Sequence, residues 1–161
     1  MENLELRMYG LVPYNLSPIQ QGIQFGHSVV EYSLKSQYKK LYNEWASHWK
    51  TFIILNGGTT NTTIQNLGSM NNHLKTLYEN NIEFSSFYEP DLGDQLTAIT
   101  FIVDERVFNY EKYPDYIEWL EKQDRGTQML WMSDSEEIWV EFIGGKKNVF
   151  LREFLKQFKL A

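Results

Sequence analysis

Runs with strand character alternate with helical patterns along the first hundred residues, and that alternation leaves few architectures open. "LRMYGLVPY" (6–14) combines apolar residues and strand formers and stops at Asn15 and Ser17, so it reads as a first strand. "SPIQ" follows. Ser17 can cap a helix, Pro18 suits the first helical position and Gln20 completes a capping box. The helix is expected to run to about Lys40, with Ile19, Ile23, Val30 and Leu34 on one face. Gly22 and Gly26 each cost a helix about 1 kcal/mol against alanine, and close approach of the helix to a sheet would justify them.

"KTFIILNGG" (50–58) is a short apolar run ended by two glycines, a buried strand. Residues 59–81 open with capping residues and carry Ile64, Leu67, Leu74 and Leu77 at helical spacing, a second helix. "IEFSSFYE" (82–89) and "LTAITFIV" (96–103) read as two further strands. The order β-α-β-α-β-β places the chain in the α/β class with one sheet. Residues 1–110 make that domain, and 111–161 an extension packed on it rather than a domain of its own. Within the extension, "YPDYIEWLEKQ" (113–123) reads as a helix starting at Pro114 or Asp115. Residues 127–145 read as a hairpin turning at "SDSE", and 147–160 as an amphipathic helix. In that last helix Phe150, Leu151, Phe154, Leu155 and Phe158 lie on one side, with Arg152, Lys156 and Lys159 on the other.

Composition narrows the function classes. The chain has 161 residues, 42% of them hydrophobic, which is ample for a core. It has no cysteine, so disulfides and thiolate metal sites are excluded. No signal-peptide pattern opens it and no apolar run approaches a membrane span, which points to a soluble, cytoplasmic protein with no membrane partner. The net charge of −6 argues against broad nucleic-acid binding. That charge is unevenly placed, with −3 over 1–103, −7 over 104–145 and +4 over 146–161.

Gln20, Gln24 and His27 stand at i, i+4 and i+7 and share one helical stripe. Gln20 falls in the first turn, where free N–H groups favour an anion. From spacing alone the stripe is more readily a half-buried polar seam bonded to a neighbouring loop. The second notable stretch is "FYEPDLGDQLTAITF" (87–101), where Glu89, Asp91 and Asp94 cluster ahead of an apolar strand. Three acids are too few for an EF-hand series, and Pro, Asp and Gly are ordinary turn residues, so no metal is assigned. His48, among aromatic residues, reads as packing, and His73 as lying on an exposed helix face. "NGGTTNTT" (56–63) lacks the lysine of a phosphate loop and reads as a strand-to-helix turn.

"LSPIQQGIQFGHSVVEY" (16–32) resembles the first helix of the type 2 peptidyl-tRNA hydrolases, with Gln24 and His27 matching that family's Gln-x-x-His pair. The element order and the threonine-led strand after an acidic loop are similar too, and the resemblance spans about residues 5–104. It implies a mixed sheet with helices on both faces, frequently a homodimer. It also implies metal-free and cofactor-free hydrolysis of the ester between a peptide and the 3′ end of tRNA. The match implies catalytic roles for His27, for Glu89 or Asp91, and for Thr97, which matches the threonine opening the family's last strand. Gln20, Gln24 and Asp94 would line the substrate site, and Lys156 and Lys159 of the basic tail would meet RNA. Two departures stand out. Gln20 occupies the place of a functional lysine, and the arginine and first threonine of the family's Asp-Ala-Gly-Arg-Thr loop have no counterpart. A charge-assisted hydrogen bond is roughly twice as strong as a neutral one, so losing both cations removes the strongest grip on phosphate or an oxyanion. The alternative is therefore a catalytically inactive protein of the same fold, binding a small ligand, a nucleotide or a protein partner.

Overall fold

A computed structural model describes residues 3–123 and 134–161. Among these, the chain divides into two compact units, residues 5–103 with 158–161 and residues 3–4 with 104–123 and 134–157.

The larger unit carries one mixed four-stranded sheet. Its strands are β1 (Leu6–Pro13), β2 (Thr51–Gly58), β3 (Ser85–Glu89) and β4 (Gln95–Asp104), in spatial order β2-β1-β4-β3. β1 and β2 run parallel, β3 and β4 antiparallel. Three helices accompany the sheet: α1 (Pro18–Leu34), α2 (Lys39–His48) and α3 (Ser69–Glu79). The fold is thus α/β, as the alternation of patterns predicts. Strand neighbours point to opposite faces. A Cβ on Gly10 would overlap the Phe25 ring of α1, whereas Leu11 faces Gly57 and Met70 of α3. Helices therefore cover both faces. On the α1 side Met8, Val12, Phe25, Val29, Tyr32, Trp45 and Ala98 form one buried cluster.

Ser17 caps α1 as expected, its Oγ accepting from the Gln20 N–H at 3.2 Å. The helix does not reach Lys40. At Lys35 the backbone turns extended, a 3-10 turn spans Ser36–Tyr38, and α2 begins as a separate helix. The break lets the Lys35 ammonium donate to the Phe84 carbonyl at 2.8 Å and sets the Tyr38 and Tyr42 rings on Tyr32. Gly22 and Gly26 are not the site of close approach, since nothing in the chain lies within 4 Å of a Cβ on either. The sheet supplies the needed glycine instead, at Gly10. The stripe of Ile19, Ile23, Val30 and Leu34 is exposed, and α1 buries Gln24, Phe25, Ser28, Val29 and Tyr32.

The second helix is also shorter than its spacing suggests. α3 starts at Ser69, and Ile64 is 94% exposed in the preceding loop. Local side-chain bonds compete with helix there. Thr63 Oγ1 accepts from the Gln65 and Asn66 N–H groups, and the Asn66 amide donates to Thr62 Oγ1. His48 is exposed in the last turn of α2 rather than packed, and His73 is half-buried, its ring edge-on to Phe158 at 4.8 Å. The last four residues are not helical. They return to the open edge of β2, where Asn56 N–H donates to the Lys159 carbonyl and Ala161 N–H to the Ile54 carbonyl. A covered edge is protected from pairing with other chains.

In the smaller unit the described helices are α4 (Glu105–Phe108), α5 (Tyr116–Glu121), α6 (Ser135–Phe142) and α7 (Lys146–Leu155). α5 begins after Asp115, as expected. The hairpin expectation fails over 135–142, which is α6, and its remaining part at 127–133 lies outside the described residues. Ile138, Trp139, Phe142 and Ile143 recur at helical spacing, and Trp139 and Ile143 pack with Tyr113 and Trp119. Gly144 and Gly145, both at φ near +100°, make the turn into α7.

α7 ends at Leu155, and its polar side is not all solvent-facing. Arg152 is 2% exposed. It donates to the Arg106 and Tyr113 carbonyls at 2.8 Å and to Asp115 at 2.9 Å, and its guanidinium lies 4.2 Å from the Tyr110 ring centroid. A buried guanidinium needs such partners.

Candidate functional site

The helix stripe and the acidic loop meet inside the larger unit. β3 runs beside α1. Gln24, 1% exposed, donates from Nε2 to Glu89 Oε1 at 3.3 Å and accepts at Oε1 from the Thr97 hydroxyl at 2.5 Å. A hydroxyl, an amide and a carboxylate from three separate elements therefore form one chain of hydrogen bonds. The Thr97 donor fixes the Gln24 amide with its nitrogen toward Glu89.

A β-bulge makes this possible. Phe87 pairs with Ala98 but Tyr88 pairs with Leu96, so Thr97 is the extra residue on β4. In unbroken alternation Thr97 would face away from Ala98 and Thr100. The bulge turns its side chain to the α1 side, beside the buried Ser28–Thr100 hydroxyl pair at 2.8 Å. Bulges re-aim side chains in this way.

Outside this buried chain lies a cleft of about 250 Å³, lined by Leu16, Gln20, Glu89, Asp91 and Leu92. Glu89 is half-buried, while Gln20, Asp91 and Asp94 are exposed. The cleft lining holds two carboxylates and no cation. The loop between β3 and β4 is a 3-10 turn, Pro90–Leu92, closed by Gly93 and Asp94 at positive φ.

One expected catalytic member stands apart from the hydrogen-bonded chain. His27 is exposed and lies against the Phe87 ring, centroids 4.7 Å apart. Glu89 is engaged by Gln24, one helical turn before His27. Thr97 is fully buried behind Gln24, so its hydroxyl supports the site rather than opening into the cleft. Of the two basic-tail residues, Lys159 lies on the segment that covers the β2 edge. Lys156 belongs to the smaller unit, where it pairs with Glu153 at 2.9 Å. That ion pair raises the Lys156 pKa.

Asn61 is a residue that sequence reasoning passed over. It is buried, and its Oδ1 accepts from the Leu96 N–H at 2.9 Å and from Asn71 Nδ2 at 3.2 Å, while its Nδ2 donates to the Asp94 carbonyl at 3.3 Å. Beside it, the Thr60 hydroxyl donates to the Leu96 carbonyl at 2.6 Å. These bonds tie the loop after β2 to the far end of the acidic loop. Within "TTNTT" nothing distinguishes Asn61 from an exposed turn residue. Among the described residues, no group of three or more His, Asp and Glu side chains could hold a metal ion. Nor is any described helix long and apolar enough to cross a membrane.

Compared with models of known families and with curated proteins, the chain matches none.

Proposed function

We propose that the cleft at Glu89 hydrolyses, without a metal, an ester of the kind that joins a peptide to the 3′ end of tRNA. The observation that carries this reading is the Thr97–Gln24–Glu89 chain. Three residues singled out by two separate stretches of sequence meet in one bonded series that ends in a carboxylate at a cleft.

In this reading Glu89 is the general base. Gln24 holds one carboxylate oxygen, and the other takes a proton from water as that water attacks the ester carbonyl. Collapse of the tetrahedral intermediate passes the proton from Glu89 to the departing 3′ oxygen, giving a free tRNA 3′ hydroxyl and a peptide carboxylic acid, which releases its own proton to solvent. The Gln20 amide at the cleft is the nearest candidate to stabilise the oxyanion, as a neutral donor. His27 serves as a flat flank beside Phe87 for a base or ribose, not as a partner of the acid. Of the two acids, Glu89 is preferred to Asp91 because only Glu89 is held by an oriented donor.

The test is release of peptide from N-blocked aminoacyl-tRNA. Glu89→Gln is expected to lower kcat about 10²- to 10⁴-fold, the usual worth of a general base. Asp91→Asn should stay close to the parent rate. Unchanged turnover by the Glu89→Gln variant would overturn the assignment.

One observation favours a second reading, a non-catalytic binding cleft. Its lining carries two carboxylates and no cation, which suits a ligand with an amine better than one with a phosphate. Absence of turnover, together with titration of the cleft by a small primary amine, would select that reading. Binding of tRNA that weakens steeply with salt would count against it.

A further inference from the structure

A second cleft lies at the far end of α1 from Gln20. It measures about 440 Å³ and opens between the turn that follows α1 and the connection from α3 to β3. Small-molecule sites span roughly 300–1,000 Å³. Lys35 stands roughly 22 Å along the helix axis from Gln20, so this cleft and the one at Glu89 are separate.

The walls of the second cleft are aromatic. Tyr38, Tyr78 and Phe84 line it, and Ile82 adds an aliphatic side chain. Hydrogen bonds fix the frame. Asn81, at φ 59°, turns the chain out of α3, and the Ile82 N–H donates to the Leu77 carbonyl at 3.0 Å. On the other wall the Lys35 ammonium donates to the Phe84 carbonyl at 2.8 Å.

Lys35 is the one cation among the described residues that line the cleft. Its nitrogen lies 5.5 Å from the Tyr38 ring centroid and 5.7 Å from that of Phe84. An ammonium carries three donors, and the Phe84 carbonyl takes one. No carboxylate of the described residues forms an ion pair with Lys35. Burial lowers its pKa, and the charge of Glu31 only opposes that shift. Charges drawn out of water are ordinarily paired, so a half-buried ammonium with two donors to spare favours an anion. Glu83 is the other charged residue of the lining. One cation facing one carboxylate suits a single negative charge and disfavours a phosphate dianion.

We propose that this cleft binds a planar aromatic carboxylate. The carboxylate takes the two remaining N–H donors of Lys35, and the ring lies against Tyr38 and Tyr78. Charge-assisted hydrogen bonds are the strong ones, and offset or edge-on ring contact sets the plane of the ligand. The inference rests on nothing at Glu89.

Naphthoate is the probe. Titrated calorimetrically into the full chain, it should fill one site with a Kd below about 1 mM. Naphthamide keeps the rings without the charge, and cyclohexanecarboxylate keeps the charge without an aromatic ring. Each should bind about tenfold more weakly, and naphthyl phosphate should also bind more weakly than naphthoate. Backbone amide shifts should move at Lys35, Tyr38, Asn81 and Phe84 and stay in place at Gln20, Asp91 and Leu92. Lys35→Gln should weaken naphthoate about tenfold. Tyr78 is 73% exposed, so Tyr78→Ala should leave the far-ultraviolet spectrum intact while weakening naphthoate about three- to tenfold. Absence of binding at millimolar naphthoate overturns the proposal. So does equal affinity for naphthamide or cyclohexanecarboxylate, tighter binding of naphthyl phosphate, or shifts centred on Gln20 and Leu92. Affinity unchanged by Lys35→Gln or by Tyr78→Ala overturns it as well.

Discussion

Thr97 shows how much one side chain can hold. Its hydroxyl donates to Gln24 from a fully buried position, and Gln24 in turn orients Glu89. Thr97→Val keeps the shape and removes the donor. Gln24 Oε1 is then buried without a partner, which costs about 1–3 kcal/mol. Urea denaturation should show that loss. If Glu89 is the base, the same variant should also lower kcat while Glu89 remains present. A sequence can mark Thr97 as the start of a strand, and the family resemblance marks it as functional. Neither reveals that it sits on a bulge, because pairing Phe87 with Ala98 and Tyr88 with Leu96 is set between strands, not within one. Arg152 teaches the same lesson. On a helical wheel it belongs to the polar side with Lys156 and Lys159, yet carbonyls from two other segments and Asp115 draw it into the interior.

Among elements, the placement of α1 depends on a glycine that it does not contain. Gly10 on β1 leaves room for the Phe25 ring, and the Ile99 carbonyl lies behind it, 3.1 Å from where a Cβ would sit. Gly10→Ala should therefore destabilise the fold by about 1–3 kcal/mol through overpacking, measurable as a lower Tm. The helix glycines predict the opposite pattern for an isolated chain, since Gly22 and Gly26 meet nothing within it. The capped start of α1 was legible in Ser17 and Pro18 because capping is local. Its end at Lys35 was not, because the break is fixed by contacts to Phe84 on a distant segment. The late start of α3 was equally hidden. Ile64 and Leu67 keep helical spacing, but the loop's own threonine and asparagine bonds, together with Asn61 at Leu96, hold it out of helix.

For the whole molecule, the C-terminal segment closes the sheet edge and brings Phe158 onto His73. Burial lowers the His73 pKa, so the folded chain favours the neutral ring. The unfolded chain takes up a proton below about pH 6.5. This contribution to stability is therefore complete above that pH and is lost as pH falls through the lower folded value. Tm should drop as pH falls below about 6.5, and His73→Phe should flatten that part of the profile. The sequence alone determined the α/β class, the four strands and the capped start of α1. Each depends on periodicity or on contacts within a few residues. The tertiary structure alone decided which face of α1 is buried, which acid Gln24 holds, and where Thr97 and Arg152 point. Those outcomes are set by groups distant in sequence, whose hydrogen-bonding and packing demands override the local pattern.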